Sequence, residues 1–108
     1  MFQDCYNVIE INLGKLDFPL SNDFGSMFSG CQNLKKLDVS NLNTQYSKSF
    51  FCMFCECRKL KEINDSNFKT TNCEDIAFMF YGCESLESID MINWDMKNVS
   101  NSSYLFYR

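Results

Sequence analysis

Apolar residues along the chain follow two different periods. Phe24, Met27, Phe28 and Cys31 stand at i, i+3, i+4 and i+7, the spacing of one helix face. Phe50, Met53, Phe54 and Cys57 repeat it, as do Ile76, Met79, Phe80 and Cys83. After each such stretch the pattern becomes Leu34-x-x-Leu37-x-Val39, whose alternation about Asp38 is strand-like. Ile11-Asn12-Leu13 and Ile89-Asp90-Met91 alternate in the same way. Ser40-Asn41 and Ser66-Asn67 then supply turn chemistry. The pattern predicts a short helix, a loop, a short strand and a turn in each unit. Thr71-Asn72 ahead of Glu74 and Asp75 offers a capping side chain and first-turn acids, and Ser21-Asn22-Asp23 reads similarly. Gly30 and Gly82 stand at the expected helix exits, where a left-handed residue often closes a helix. Glu56 replaces that glycine in the third unit and predicts a less ideal exit.

The unit repeats every 26 residues. Met-Phe pairs stand at Met1-Phe2, Met27-Phe28, Met53-Phe54 and Met79-Phe80, and Leu105-Phe106 continues the series. The same register holds Cys5, Cys31, Cys57 and Cys83, then Val8, Leu34, Leu60 and Leu86. It also holds Ile11, Leu37, Ile63 and Ile89, then Leu16, Leu42, Phe68 and Trp94. No insertion interrupts any column. The chain divides into 1–26, 27–52, 53–78 and 79–104, with 105–108 starting a fifth unit. One such unit cannot bury its apolar side alone, whereas stacked units share a continuous core. The expected fold is an α/β repeat, a right-handed solenoid with a parallel sheet on one face and short helices on the other.

Met27-Phe28-Ser29-Gly30-Cys31-Gln32-Asn33-Leu34-Lys35-Lys36-Leu37-Asp38-Val39-Ser40-Asn41-Leu42 resembles the BspA-like leucine-rich repeat family, and Met79 to Trp94 matches nearly as well. The resemblance covers all four units. It implies a leucine-rich-repeat solenoid, display at a cell surface or outside the cell, and a role in adhesion or protein binding. Some residues depart from the repeat. Asp65 enters the apolar column of Leu13, Val39 and Met91 and predicts fraying of the third strand. Gly14, Lys15 and Pro19 make the first unit the most divergent. Uncapped repeats expose core at both ends, which predicts neighbouring repeats or subunits against them. Met1 then reads as a repeat position as readily as a start.

Composition narrows the chemistry. The 108 residues include 11 Phe, 7 Cys and 6 Met but no His, and the net charge is −4. The acidity argues against nucleic acid, whose phosphates call for clustered cations. The commonest general base and metal ligand is missing. No apolar run approaches the roughly 18 residues of a membrane span, and no basic-then-apolar leader precedes the first unit. No nucleophile–base pair, phosphate-cradling loop or nucleotide motif is visible. The chain reads as non-enzymatic, with no cofactor and no metal.

The cysteines invite a closer look. Stacked units place Cys5, Cys31, Cys57 and Cys83 roughly 4.8 Å apart. Parallel Cβ vectors aim badly for disulfides, so the column reads as buried thiols. Cys52-x-x-Cys55 has zinc-ligand spacing, with Cys57 and Cys73 as further donors. The columns send these four side chains in different directions, which argues against a zinc site.

Two polar columns flank the buried strand positions. One is Glu10, Lys36, Glu62 and Ser88, and the other is Asn12, Asp38, Asn64 and Asp90. Both face the concave surface, where repeat proteins bind partners. They form a mildly acidic candidate site for a protein partner. Asp38 and Asp90 lie two units apart, roughly 10 Å, too far to share one calcium ion. Phe51, Phe78, Tyr81, Tyr104 and Tyr107 lie outside the core columns. They pack between neighbouring helices or against another subunit. Asn64, Asn98 and Asn101 begin glycosylation sequons, which matter only in a secreted protein. The leading reading is a protein-interaction module of a surface or adhesion protein, and the alternative is a structural subunit of a larger assembly.

Overall fold

Each unit must place its backbone N–H groups before it can bury its apolar columns. A two-turn helix is poorly suited to this, because four N–H and four C=O groups at its ends lack internal partners. The chain adopts another solution, seen in a computed structural model that describes residues 2–11, 13 and 23–107. From Phe24 to Gly30 every second N–H donates to the following unit: Phe24 to Ser49 O, Ser26 to Phe51 O, Phe28 to Met53 O and Gly30 to Cys55 O, at 2.8–3.0 Å. Of the intervening N–H groups, the first donates to a side chain two residues back, as Gly25 does to Asp23 Oδ1 at 2.7 Å, and the later ones bond back three residues, as in Met27 to Phe24 O and Cys31 to Phe28 O. The same scheme runs from Phe50 to Cys57 and from Ile76 to Cys83.

This overturns the expected α/β leucine-rich-repeat solenoid with helices on one face. Among the described residues there is no helix, and the regular sheet has three short strands. The i, i+3, i+4, i+7 stretches are runs of tight turns. Left-handed residues interrupt each one, at Ser26 (φ 59°) and Gly30 (φ 80°), then Cys52 and Glu56, then Phe78 and Gly82. Each stands third in a four-residue turn, where a type II turn needs positive φ. Most of them are not glycine, so stacking must offset about 1–2 kcal/mol per residue. The glycines expected at helix exits do adopt positive φ, but in a turn facing the unit before. A Cβ on Gly30 would lie 3.3 Å from the Asp4 Cα, and one on Gly82 would lie 2.8 Å from the Glu56 carboxylate carbon.

The strands are β1 (Glu10–Ile11), β2 (Lys36–Asp38) and β3 (Glu62–Asn64), parallel and in the order β1-β2-β3. Their partners, Glu10 with Lys36 and Lys36 with Glu62, keep the 26-residue register. Alternation follows: Leu37 is buried while Lys36 and Asp38 are exposed. Isolated parallel bridges at Asp23, Ser49, Asp75 and Asn101 form a second ladder where the turn runs begin. The expected fraying of the third strand is not seen: β3 has three residues, as β2 does, and ends at the equivalent position. Ser88 to Met91 form no strand, and Glu87 N to Lys61 O is stretched to 3.4 Å, against 3.0 Å for Lys61 N to Lys35 O. Met1, Asn12, residues 14–22 and Arg108 lie outside the described residues. These include the predicted site position Asn12, the divergent Gly14, Lys15 and Pro19, the column member Leu16 and the Ser21-Asn22 start.

Side chains stack in the same register. Phe2, Phe28, Phe54, Phe80 and Phe106 form one ladder with ring centroids 5.3–5.7 Å apart and planes within 7°. Such offset pairs contribute about 0.5–1.5 kcal/mol each beyond buried area. Beside them the thiols of Cys31, Cys57 and Cys83 donate to the carbonyls of Phe2, Phe28 and Phe54 at 3.0–3.1 Å. Buried Thr44 donates to Lys69 O at 3.1 Å and accepts from Lys69 N at 2.7 Å, and Thr70 repeats this with Asp95 at 3.1 and 2.7 Å. The side-chain amides of Asn67, Asn72 and Asn98 donate to Ser40, Gln45 and Thr71 carbonyls one unit back, at 2.7–3.0 Å.

The turn geometry predicts opposite effects at one column of the repeat. Glu56→Gly relieves a left-handed residue at φ 61° and raises unfolding stability by up to about 1 kcal/mol, since its exposed pair with Arg58 contributes little. Gly30→Ala meets both the positive φ and the Asp4 backbone and lowers stability by more than about 1 kcal/mol. Urea titrations of the two variants check the pair, and a loss in Glu56→Gly counts against the turn reading.

Candidate partner-binding face

The strand register brings most of the two predicted polar columns together. Glu10, Lys36 and Glu62 lie side by side on consecutive strands, with Asp38 and Asn64 beyond them. These five, with Ile11, Leu13, Leu37 and Asn41, line a groove of about 440 Å³. Lys36 Nζ stands 3.8 Å from Glu62 Oε2, an exposed ion pair of the kind that contributes little to stability. Ser88 and Asp90 are exposed but do not line the groove.

The second column turns out to be occupied. Asp38 Oδ1 accepts from the Ser40 amide at 2.9 Å and from the Ser40 hydroxyl at 2.5 Å. Asn64 Oδ1 accepts from Ser66 N at 3.2 Å, and Asp90 Oδ1 accepts from Ile92 N at 3.0 Å. These bonds fold the turn after each strand position, as short polar side chains do. The Ser40 hydroxyl, then its amide, holds the Asp38 carboxyl below the usual carboxylate range. Asp38, Asn64 and Asp90 are therefore turn formers first. Glu10, Lys36 and Glu62 make no such backbone bond, so they carry the face's free chemistry.

Among the described residues, Asp65 is the one carboxylate drawn into the apolar columns. It is partly buried and accepts from the Trp94 indole N–H at 3.2 Å. Burial raises its pKa, and the charge of Asp90 adds to the rise. The cysteines are all reduced thiols. Burial pushes Cys31 and Cys73 up to about 11 and raises Cys55 and Cys57 as well. Among the described residues no three Cys, Asp or Glu side chains gather where they could hold a metal ion. Phe78 stacks on Tyr104 at 5.1 Å and Tyr81 on Tyr107 at 5.4 Å, while Phe51 meets Phe78 edge-on at 5.8 Å. The outer aromatics thus pack from unit to unit and leave Tyr104 and Tyr107 more than half exposed. Asn64, Asn98 and Asn101 each spend a side-chain hydrogen bond on the backbone.

A sequence whose repeat register runs through every described unit invites a match along its whole length. The family described as "Mycoplasma protein of unknown function, DUF285" matches residues 1–108. The chain belongs to that family. No curated protein and no solved structure matches it. Membership brings no assigned activity, so function rests on the geometry. The described residues contain no helix long and apolar enough to cross a membrane.

The sequence columns do not single out a second cleft. Lys35, Lys36, Lys59 and Lys61, with Glu62 and Ser85, line about 310 Å³ beside the groove. A signal was available: Lys35-Lys36 and Lys59-x-Lys61 sit in adjacent units at nearly the same repeat positions.

Two titration effects follow. Asp65 has a folded pKa above its unfolded value, so its contribution is full below the unfolded pKa and is lost as pH rises through the folded one. Asp65→Asn keeps an acceptor for Trp94 and removes the charge. It therefore raises the melting temperature at pH 7, and the gain disappears near about pH 3; a gain that persists at low pH refutes a charge origin. The raised thiols contribute stability that is full below about pH 9 and lost as pH rises through their folded values. Thiolate absorbance of the folded chain should lag that of the urea-denatured chain by about two pH units at these positions, and coincident titrations contradict their burial.

Proposed function

We propose that the chain is a non-enzymatic protein-binding module that presents the groove over β1, β2 and β3 to a protein partner. The observation that carries this reading is the division of labour on the sheet. Asp38 and Asn64 are committed to turns, while Glu10, Lys36 and Glu62 project into a concave groove with no structural duty beyond one exposed pair. The resemblance to BspA-like repeats supports binding or adhesion at a cell surface as the setting. A second reading, a structural subunit packed in a larger assembly, draws on the half-exposed aromatics Tyr104, Phe106 and Tyr107. That reading predicts self-association in sedimentation, whereas the module reading predicts a monodisperse chain.

Selection from a displayed random-peptide library tests the module directly. Enriched peptides should bind the wild-type chain and lose about tenfold or more affinity on Glu10→Lys combined with Glu62→Lys. These two positions are preferred to Asp38 and Asp90, where reversal also removes a turn bond. Absence of enrichment, or equal binding to the reversed variant, overturns the groove as the binding face.

A further inference from the structure

We infer that the lysine-lined cleft beside the groove is a binding site for an acidic peptide segment, a short run of Asp and Glu side chains on the partner protein. The inference rests on the protein-binding reading above and names the chemistry of its partner. Six of the ten Lys and Arg residues fall from Lys35 to Lys61 in a chain whose net charge is −4. Four of them, Lys35, Lys36, Lys59 and Lys61, line one cavity of about 310 Å³, with Glu62 as its single acid. Glu62 is already paired with Lys36 at 3.8 Å. Lys35, Lys59 and Lys61 form no ion pair among the described residues.

The repeat itself makes this gathering costly. Lys61 N bonds to Lys35 O at 3.0 Å, so the two lysines lie directly over one another in consecutive units. Like charges opposed in this way destabilise a ladder. The same column reads Ile9, Lys35, Lys61 and Glu87, and the neighbouring one reads Asn7, Asn33, Lys59 and Ser85. Neutral or acidic residues are therefore accepted at these positions in the first and fourth units. The lysines are a local island, and no structural demand of the column explains them.

The shape and surroundings of the island select the ligand. It spans two stacked units, roughly 5 Å by strand spacing, and is bordered by Glu10 and Asp38 across the Lys36–Glu62 wall and by Glu87 above Lys61. An extended anionic surface, whether a duplex or a membrane, would bring its other charges against these acids. A few carboxylates on one extended segment fit the cleft and avoid them. The adjoining groove then receives the rest of the partner.

Binding of a deca-glutamate peptide to the whole chain tests the inference, with deca-glutamine, phosphatidylglycerol vesicles and a short DNA duplex as parallel probes. Deca-glutamate should bind, deca-glutamine should not, and affinity should fall about tenfold or more between roughly 0.05 and 0.5 M salt. Lys59→Glu with Lys61→Glu should weaken binding at least about tenfold, and Lys59→Gln with Lys61→Gln by less. Lys48→Glu with Lys97→Glu, far from the cleft in the repeat, should leave it unchanged. Matching melting curves for all variants exclude a folding defect. Failure of deca-glutamate to bind, equal loss in the distal variant, or tighter binding of vesicles or duplex overturns the inference. Library-selected peptides that depend on Glu10 and Glu62 but not on these lysines would overturn it while leaving the groove as the binding face.

Discussion

Everything in this chain depends on one constraint: each unit's backbone is completed by the next unit. Alternate N–H groups of every turn run donate to carbonyls 25 residues ahead, and a break there leaves buried donors unpaired at about 1–3 kcal/mol each. The 26-residue register follows from that constraint. One insertion would shift every later donor away from its acceptor. It would also separate the rings of the Phe2–Phe106 ladder, which are only 5.3–5.7 Å apart. The thiol bonds of Cys31, Cys57 and Cys83 obey the same register, since each reaches the Phe carbonyl of the preceding unit. Cysteine suits this place because it is small, apolar and able to donate one weak hydrogen bond.

The repeat and its buried columns were legible in the sequence, because apolar spacing reports directly which side chains are shielded from water. The helix was not. Phe24, Met27, Phe28 and Cys31 lie on one side of a helix, but two successive tight turns bring the same four residues to one side as well. The residue types that distinguish the two structures are those at positive φ. Gly30, Gly82 and, more weakly, Asp4 signal that conformation, while Ser26, Cys52, Glu56, Phe78 and Tyr104 adopt it with ordinary side chains. Tertiary stacking has overridden local preference here, and single-residue chemistry carries no mark of it. The third strand shows a related limit. Asp65 was visible as a misfit, yet it is accommodated by an indole donor from the next unit, Trp94, and β3 is as long as β2.

The candidate face was half legible for the same reason. Period-two alternation grouped Glu10, Lys36, Glu62, Asp38 and Asn64, and all five are exposed. It did not separate side chains that build turns from side chains that are free. That distinction lies in bonds two residues along the chain, such as Ser40 N to Asp38 Oδ1. Asp, Asn and Ser carry it in their chemistry, because their short polar groups reach the local backbone. Glu and Lys are longer and do not compete for it. That chemistry leaves the Glu10, Lys36, Glu62 column without local backbone bonds, while Asp38, Asn64 and Asp90 form turns.

A backbone completed by its neighbours has a further consequence for how such a surface is specified. The fold is held by turn runs, ring ladders and Thr and Asn bonds that lie away from the groove. Side chains over the strands contribute little to it, as the exposed Lys36–Glu62 pair shows. Each unit is then free to place a different residue at one and the same position: Glu10, Lys36, Glu62 and Ser88 occupy one column and differ in charge and size. Neighbouring units set these choices about 4.8 Å apart, close enough for one partner segment to contact several at once. Acidic and basic halves meeting at Lys36 and Glu62 are what such independent choices produce. On the proposed reading, recognition would reside in the sequence of residues along a column, while the column's spacing is set by the backbone alone.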